Sequence, residues 1–205
     1  MDFNKYFEML VDWKKLPAYR LEPRIDTFIG YYLKDIISDL MKTKVIGNIP
    51  EFPIRGKTIF NNFFGEKSFR VDFLLITENN PNYLVEFKTD SNSRREGQDK
   101  YLLKAKEKKL GELIKGLKFI YEATLAKNKY DHLIAKLKEL SLLNDSWEFI
   151  GKNEDIEIIY IQPRNINNEN NVIDFNSISS WIDKKQNKDN FEIELGKTLL
   201  KWVND

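Results

Sequence analysis

The stretch Ser68–Asp90, SFRVDFLLITENNPNYLVEFKTD, decides how this chain folds. Phe69 to Ile76 and Tyr83 to Lys88 are apolar, β-branched and aromatic runs. Between them lies Thr77-Glu78-Asn79-Asn80-Pro81-Asn82, a cluster of turn formers, so the stretch predicts an antiparallel hairpin. Three ionisable residues, Asp72, Glu86 and Lys88, interrupt the apolar runs. Charge in a strand that reads as buried needs a reason, because desolvating an unpaired charge is costly. A turn centred on Asn79 or Asn80 brings Asp72 opposite Glu86 or Phe87, and alternation puts Glu86 and Lys88 on one face. Directly opposed Cβ atoms stand roughly 4.5–5.5 Å apart. Two carboxylates at that distance repel unless a cation or a proton lies between them.

Working outward, the segment before the hairpin has Ile25, Phe28, Ile29, Tyr32, Leu33, Ile36, Ile37 and Leu40 at helical spacing, with Pro23 suited to the first turn. Asp2 to Leu16, with Phe3, Tyr6, Phe7, Leu10, Val11 and Trp13 at helical spacing, predicts an earlier helix that Pro17 ends. Val45 to Arg55 reads as extended runs broken by Gly47, Pro50 and Pro53, which suits an edge strand. Lys57 to Phe64 is aromatic-rich and gives no clear period.

After the hairpin, Asp90 to Ser93 predicts a loop with a helix cap, and Arg94 to about Lys127 one long helix, in which Gly111 and Gly116 permit close packing or a bend. Tyr130 to Leu143 is a further helix. Ile156 to Gln162 is a continuous apolar run ended by Pro163, a central strand pairing with the hairpin after a helical crossover. Arg164 to Asn171 is an Asn-rich surface loop, and residues 177–184 and 191–203 are terminal helices. The order is helix, three strands, long helix, strand and helical additions: an α/β sandwich with a mixed sheet.

At 205 residues and 41% hydrophobic content the chain can bury a core, and one domain over 1–205 is expected. A formal net charge of +1 leaves only local patches to attract polyanions. The absence of cysteine excludes disulfides, thiolate-held metals and thiol nucleophiles. No apolar segment is long enough to cross a membrane, and the first residues lack a signal core, so a cytoplasmic protein with no membrane partner is expected.

The element order and these charges together resemble the PD-(D/E)XK nuclease superfamily, whose pattern is an acid on one core strand and acid-x-Lys on the next. Here that is Asp72 followed by Glu86-Phe87-Lys88. The resemblance covers about residues 23–162, leaving 1–16 and 177–203 as helical additions, and implies a restriction-endonuclease-like αβββαβ core with a mixed central sheet. Val71 stands where the family pattern has proline. Gln98 and Tyr101 look like the Gln and Tyr that some branches carry on the following helix, at a spacing one residue shorter. Many members add an acid from the first helix, for which Glu22 and Asp26 are both candidates.

What the resemblance implies is hydrolysis of DNA phosphodiesters with Mg²⁺ or Mn²⁺. Asp72, Glu86 and the Phe87 carbonyl would hold the metal, and Lys88 would orient water or stabilise developing charge. Gln98 would hold a water or nucleotide and Tyr101 the loop. From Arg94 to Lys118 there are nine Lys or Arg against four acids, and Arg94 and Arg95 would contact phosphates. DNA against RNA stays open, as does a homodimer. The alternative is a non-catalytic nucleic-acid-binding or protein-interaction module that keeps the fold, or a structural ion-pair cluster in the hairpin. His132 reads as a surface residue, and Trp13, Trp147, Trp181 and Trp202 as packing anchors.

Overall fold

In the computed structural model, which describes residues 2–65, 67–79, 81–90 and 93–204, the hairpin forms as β2 (Ser68–Thr77) and β3 (Asn82–Phe87). Its register pairs Phe73 with Val85, Leu74 with Leu84 and Leu75 with Tyr83, so the turn is centred on Asn79. Asp72 immediately precedes this paired stretch and Glu86 immediately follows it. The turn is tied from within: the fully buried Asn82 accepts from the Thr77 N–H at 3.1 Å and donates to the Asn153 carbonyl at 3.0 Å. The Asn153 amide in turn donates to Thr77 Oγ1.

Before the hairpin come α1 (Phe3–Trp13), α2 (Glu22–Met41), β1 (Val45–Arg55) and the short α3 (Gly56–Ile59). After it come α4 (Glu96–Lys106), α5 (Leu110–Ala123), α6 (Lys127–Glu139), β4 (Ile156–Gln162), β5 (Val172–Asp174), α7 (Phe175–Lys184) and α8 (Asn190–Asn204). The strands make an open mixed sheet in the order β1-β2-β3-β4-β5. β1 and β2 are antiparallel, as are β2 and β3, while β4 and β5 are parallel. β1 lies at an edge, the position in a sheet that best tolerates Pro50 and Pro53, and its register shifts between Val45 and Gly47. The fold is therefore α/β, and among the described residues no helix is long and apolar enough to cross a membrane.

Two local expectations are corrected. The long helix after Arg94 is two helices, α4 and α5, separated at Glu107–Lys109. Lys106 to Lys109 offers no apolar side chain to a core, and the Leu110 N–H bonds the Glu154 carbonyl at 2.9 Å instead of continuing a helix. The cap expected from Asp90–Ser93 falls partly on Ser91 and Asn92, which lie outside the described residues; Ser93 Oγ donates to the Asp90 carbonyl, and the N-cap position of α4 is Arg95, which makes no side-chain cap bond. The Asn-rich loop leads into a strand, β5, that its polar composition concealed.

The chain groups into two compact units. The first comprises Met1–Ile36, Glu86–Arg94 and Ile159–Asp205. In it α8 packs against α7 and α1, burying Phe7, Leu10, Phe175, Ile178, Leu195, Leu199 and Trp202. Ile25, Ile29, Leu33 and Ile36 form the buried face of α2. The second unit comprises Ile37–Val85 and Arg95–Ile158, with Phe52, Ile54, Val71, Leu74, Leu75, Leu113 and Leu117 at its centre. Gly111 and Gly116 serve close packing there. A Cβ on Gly116 would stand 2.7 Å from Thr58 Oγ1, and one on Gly111 2.8 Å from the Phe149 ring. Of the four tryptophans, Trp181 and Trp202 are buried, whereas Trp13 is exposed at the end of α1.

Candidate functional site

β3 buries every side chain it carries, and two buried charges mark its end: Glu86 within the strand and Lys88 just beyond it. Glu86 is 1% exposed and Lys88, the next residue on that face, is 5% exposed. The Lys88 backbone N–H donates to the Ile161 carbonyl of β4 at 2.8 Å, which fixes the chain just where β3 ends. Phe87, between them, turns the other way and stacks its ring on Phe175 with centroids 6.1 Å apart. Strand alternation thus separates an aromatic anchor from a charged face within three residues.

On the charged face the Lys88 ammonium donates to Glu86 Oε1 at 2.7 Å. Glu22 Oε1, from the first turn of α2, lies 3.6 Å from the same nitrogen. The two first-helix candidates are therefore separated by geometry. Glu22 stands beside Lys88, whereas Asp26 turns to its own helix and accepts from the Thr27 N–H and hydroxyl. Glu22 is about one-third exposed, so the cluster is sealed on the strand side and opens on the α2 side.

The remaining residues singled out in the sequence have distinct settings. Asp72 is half-buried on β2. Tyr101 is a packing residue: its hydroxyl donates to the Arg70 carbonyl at 2.7 Å and its ring stacks on Phe69 at 4.8 Å. Gln98 is half-buried in the first turn of α4, and Arg95 is exposed at its N-cap. Arg94 is bound within the first unit. Its guanidinium donates to Glu169 Oε2 at 2.8 Å and lies 3.9 Å above the Tyr160 ring. The Arg94 hydrogen bond holds the Glu169 carboxyl below the usual glutamate range, against the opposing effect of burial.

Two polar residues escaped the sequence reading, Gln162 and Glu169. Gln162 ends an apolar strand and is 4% exposed. Its signal was legible in principle, as a lone amide closing a buried run. Glu169 lay in a loop whose composition suggested only solvation.

The chemistry of the donor set can be compared with a divalent ion. Among the described residues no group of three or more His, Asp or Glu is gathered around one point. Mg²⁺, however, keeps most of its waters and takes one or two carboxylates together with substrate oxygens. Glu22 and Glu86 supply such hard oxygens within one unit, both close to the Lys88 ammonium. The residues present fit Mg²⁺ or Mn²⁺ as Glu22 and Glu86 with water, with Lys88 as the attendant cation. The chain matches no protein-family model, no curated protein and no solved structure.

Proposed function

We propose that this protein is a metal-dependent nuclease of the PD-(D/E)XK kind, with DNA as its substrate. The observation that carries the proposal is the burial of Glu86 and Lys88 side by side at the end of β3, with Glu22 beside the ammonium. An ion pair in such a place is no economical way to gain stability, since desolvating both charges offsets most of their attraction. A working site accounts for it better than a structural one.

A divalent ion bound there would supply Lewis acidity toward the phosphate and a water of lowered pKa. Glu86 is the anchored donor, fixed by its strand; Glu22, on a helix terminus, is the adjustable one. Lys88 carries a fixed positive charge beside both and would stabilise charge growing on a phosphate oxygen. The αβββαβ core and the role of Asp72 as a further carboxylate come from the family pattern. Gln98 and Arg95 would border bound nucleic acid on the same reading, while the packing of Tyr101 favours a supporting role.

Incubating purified protein with single-stranded, duplex and branched DNA in Mg²⁺ or Mn²⁺ tests this. Metal-dependent cleavage is expected, falling at least about a hundredfold in Lys88→Gln and in Asp72→Asn. Thermal melts run alongside separate lost chemistry from lost folding. Full cleavage by Lys88→Gln would remove the proposed chemistry. A folded wild type that cuts none of the three substrates with either metal would favour the non-catalytic module, for which the closed Lys88–Glu86 pair speaks.

A further inference from the structure

Beyond β4 the first unit carries a recess of about 270 Å³, walled by Arg94, Gln162, Ile166, Asn167 and Glu169. A water takes roughly 30 Å³ of liquid, so the space suits about nine waters, or one flat heterocycle, and not a whole nucleotide. Its inner wall is the buried amide of Gln162. Gln162 Nε2 donates to the Arg164 carbonyl at 2.8 Å, and this decides which way the amide points: the opposite orientation would set two oxygens against each other. Gln162 Oε1 is then buried without a hydrogen-bond partner among the described residues. A buried acceptor left unmet is costly, and native proteins keep few of them.

The rest of the recess is built to stay open. Asn165 clasps the loop by accepting from the Glu169 N–H and donating to the Glu169 carbonyl, both at 2.9 Å. Glu169 is held by Arg94, and Arg94 is spread flat over Tyr160. Ile166 adds an apolar edge at the mouth. What fits is a planar group presenting a hydrogen-bond donor to Gln162 Oε1. The position supplies the rest: Gln162 directly follows Ile161, the residue whose carbonyl holds the Lys88 N–H.

We propose that this recess holds one unpaired nucleobase bearing an exocyclic amino group, adjacent to the phosphodiester handled at Glu86 and Lys88, with the amino N–H donating to Gln162 Oε1. The proposal rests on the nuclease reading and deepens it. A base can enter only when it leaves the duplex stack, so single-stranded or frayed DNA is the preferred form. Bases that lack the amino group leave the acceptor unmet and are disfavoured.

Fluorescence anisotropy with labelled oligo-dA, an equal-length oligomer of 2′-deoxynebularine (adenine without its amino group) and oligo-dT tests it on the full chain. Wild type should bind oligo-dA about tenfold more tightly than the other two. Gln162→Leu should bring the three affinities together, and Asn187→Ala, exposed and outside the recess, should leave the preference standing. Equal wild-type affinity for oligo-dA and the nebularine oligomer overturns the base recess, as does a preference that survives in folded Gln162→Leu. Should Gln162→Leu fail to fold, the wild-type comparison alone decides. If metal-dependent cleavage is found without base preference, the nuclease reading stands and only the recess falls; if no oligomer binds, the recess falls, and the cleavage assay judges the nuclease reading separately.

Discussion

The first unit buries two glutamates beside lysines, and the two are buried for different reasons. Glu192 sits at the start of α8, where its Oε2 accepts from the Asp189 N–H at 3.0 Å while Asp189 Oδ1 accepts from the Glu192 N–H at 2.8 Å. That is a reciprocal capping box. Lys185 donates to Glu192 Oε1, and its ammonium also faces the Tyr32 and Trp181 rings at 4.9 and 5.0 Å. Each contact closes a helix end or packs a ring. Glu86 lies within a strand, where there is no helix end to cap, and it accepts from the ammonium of a lysine two residues on. A buried charge with a local structural task needs no further explanation. At Glu86 the pair closes no helix end and packs no ring, and the proposed site is what gives its burial a use.

The comparison breaks most easily under single truncation. Glu86→Ala takes from the buried Lys88 ammonium its 2.7 Å carboxylate partner, leaves Glu22 3.6 Å away, and should cost about 3–5 kcal/mol in urea unfolding. A cost near zero would mean that the Lys88–Glu86 pair is loosely solvated and that its burial carries no message.

Paired replacement sharpens it. Glu86→Leu with Lys88→Met exchanges a buried ion pair for apolar groups of similar size, and should be neutral or stabilising by up to about 4 kcal/mol. The matching exchange at Glu192 and Lys185 also removes the capping box, and should still lose about 1 kcal/mol. Chemical melts of the two double variants against wild type give the sign directly. If both pairs prove equally replaceable, or both equally needed, the distinction between structural and functional burial is lost.

How far this was legible in the sequence follows from what kind of signal each residue gives. The hairpin register was readable because apolar runs and a turn cluster fix a centre, and the turn is centred on Asn79 as the sequence allowed. The edge position of β1 followed from Pro50 and Pro53, since an edge strand has ladder bonds to lose on one side instead of two. Glu86 and Lys88 stood out as charges in an apolar strand. The break between α4 and α5 was not readable, because charged residues continue a helical pattern as readily as they end it. β5 is three residues long and gains its identity from pairing with Tyr160, Ile161 and Gln162. Glu169 is positioned by Asn165 and Arg94 across a folded loop, and no local period announces that. The choice between Glu22 and Asp26 likewise needed the strand, since both are acids near a helix start.

Acid separates the two glutamates by a milder route. The hydrogen bond from Lys185 holds the Glu192 carboxyl below its ordinary range, with burial opposing. A lowered folded-state pKa gives stability that is present above the unfolded value, about 4.3, and is lost as pH falls through the folded one. Wild type should therefore lose stability relative to Glu192→Gln as the solution is taken from pH 6 toward pH 3, the gap closing with acidification. The Tyr32 hydroxyl, raised by its burial and then by Glu192, adds stability that is present below about pH 10 and lost in alkali. A gap between wild type and Glu192→Gln that is independent of pH would show that the capping bonds, and not the charge, do the holding.

The smallest expected effect is the most selective. Asp26 bonds to Thr27 and turns away from the charged face, so Asp26→Asn keeps an acceptor for the Thr27 N–H. It should shift stability by less than about 0.5 kcal/mol and leave cleavage unchanged. Glu22→Gln, one turn earlier, should be almost as mild in a melt, because its side chain is about one-third exposed. In the cleavage assay, however, it should lower the rate about tenfold and raise the metal concentration needed for half-maximal rate. Stability and activity thus part company at one acid and not at its neighbour, a pattern that a purely structural role for Glu22 would not produce. If both variants cut alike, α2 contributes no ligand, and Glu86 must work with acids from elsewhere in the chain.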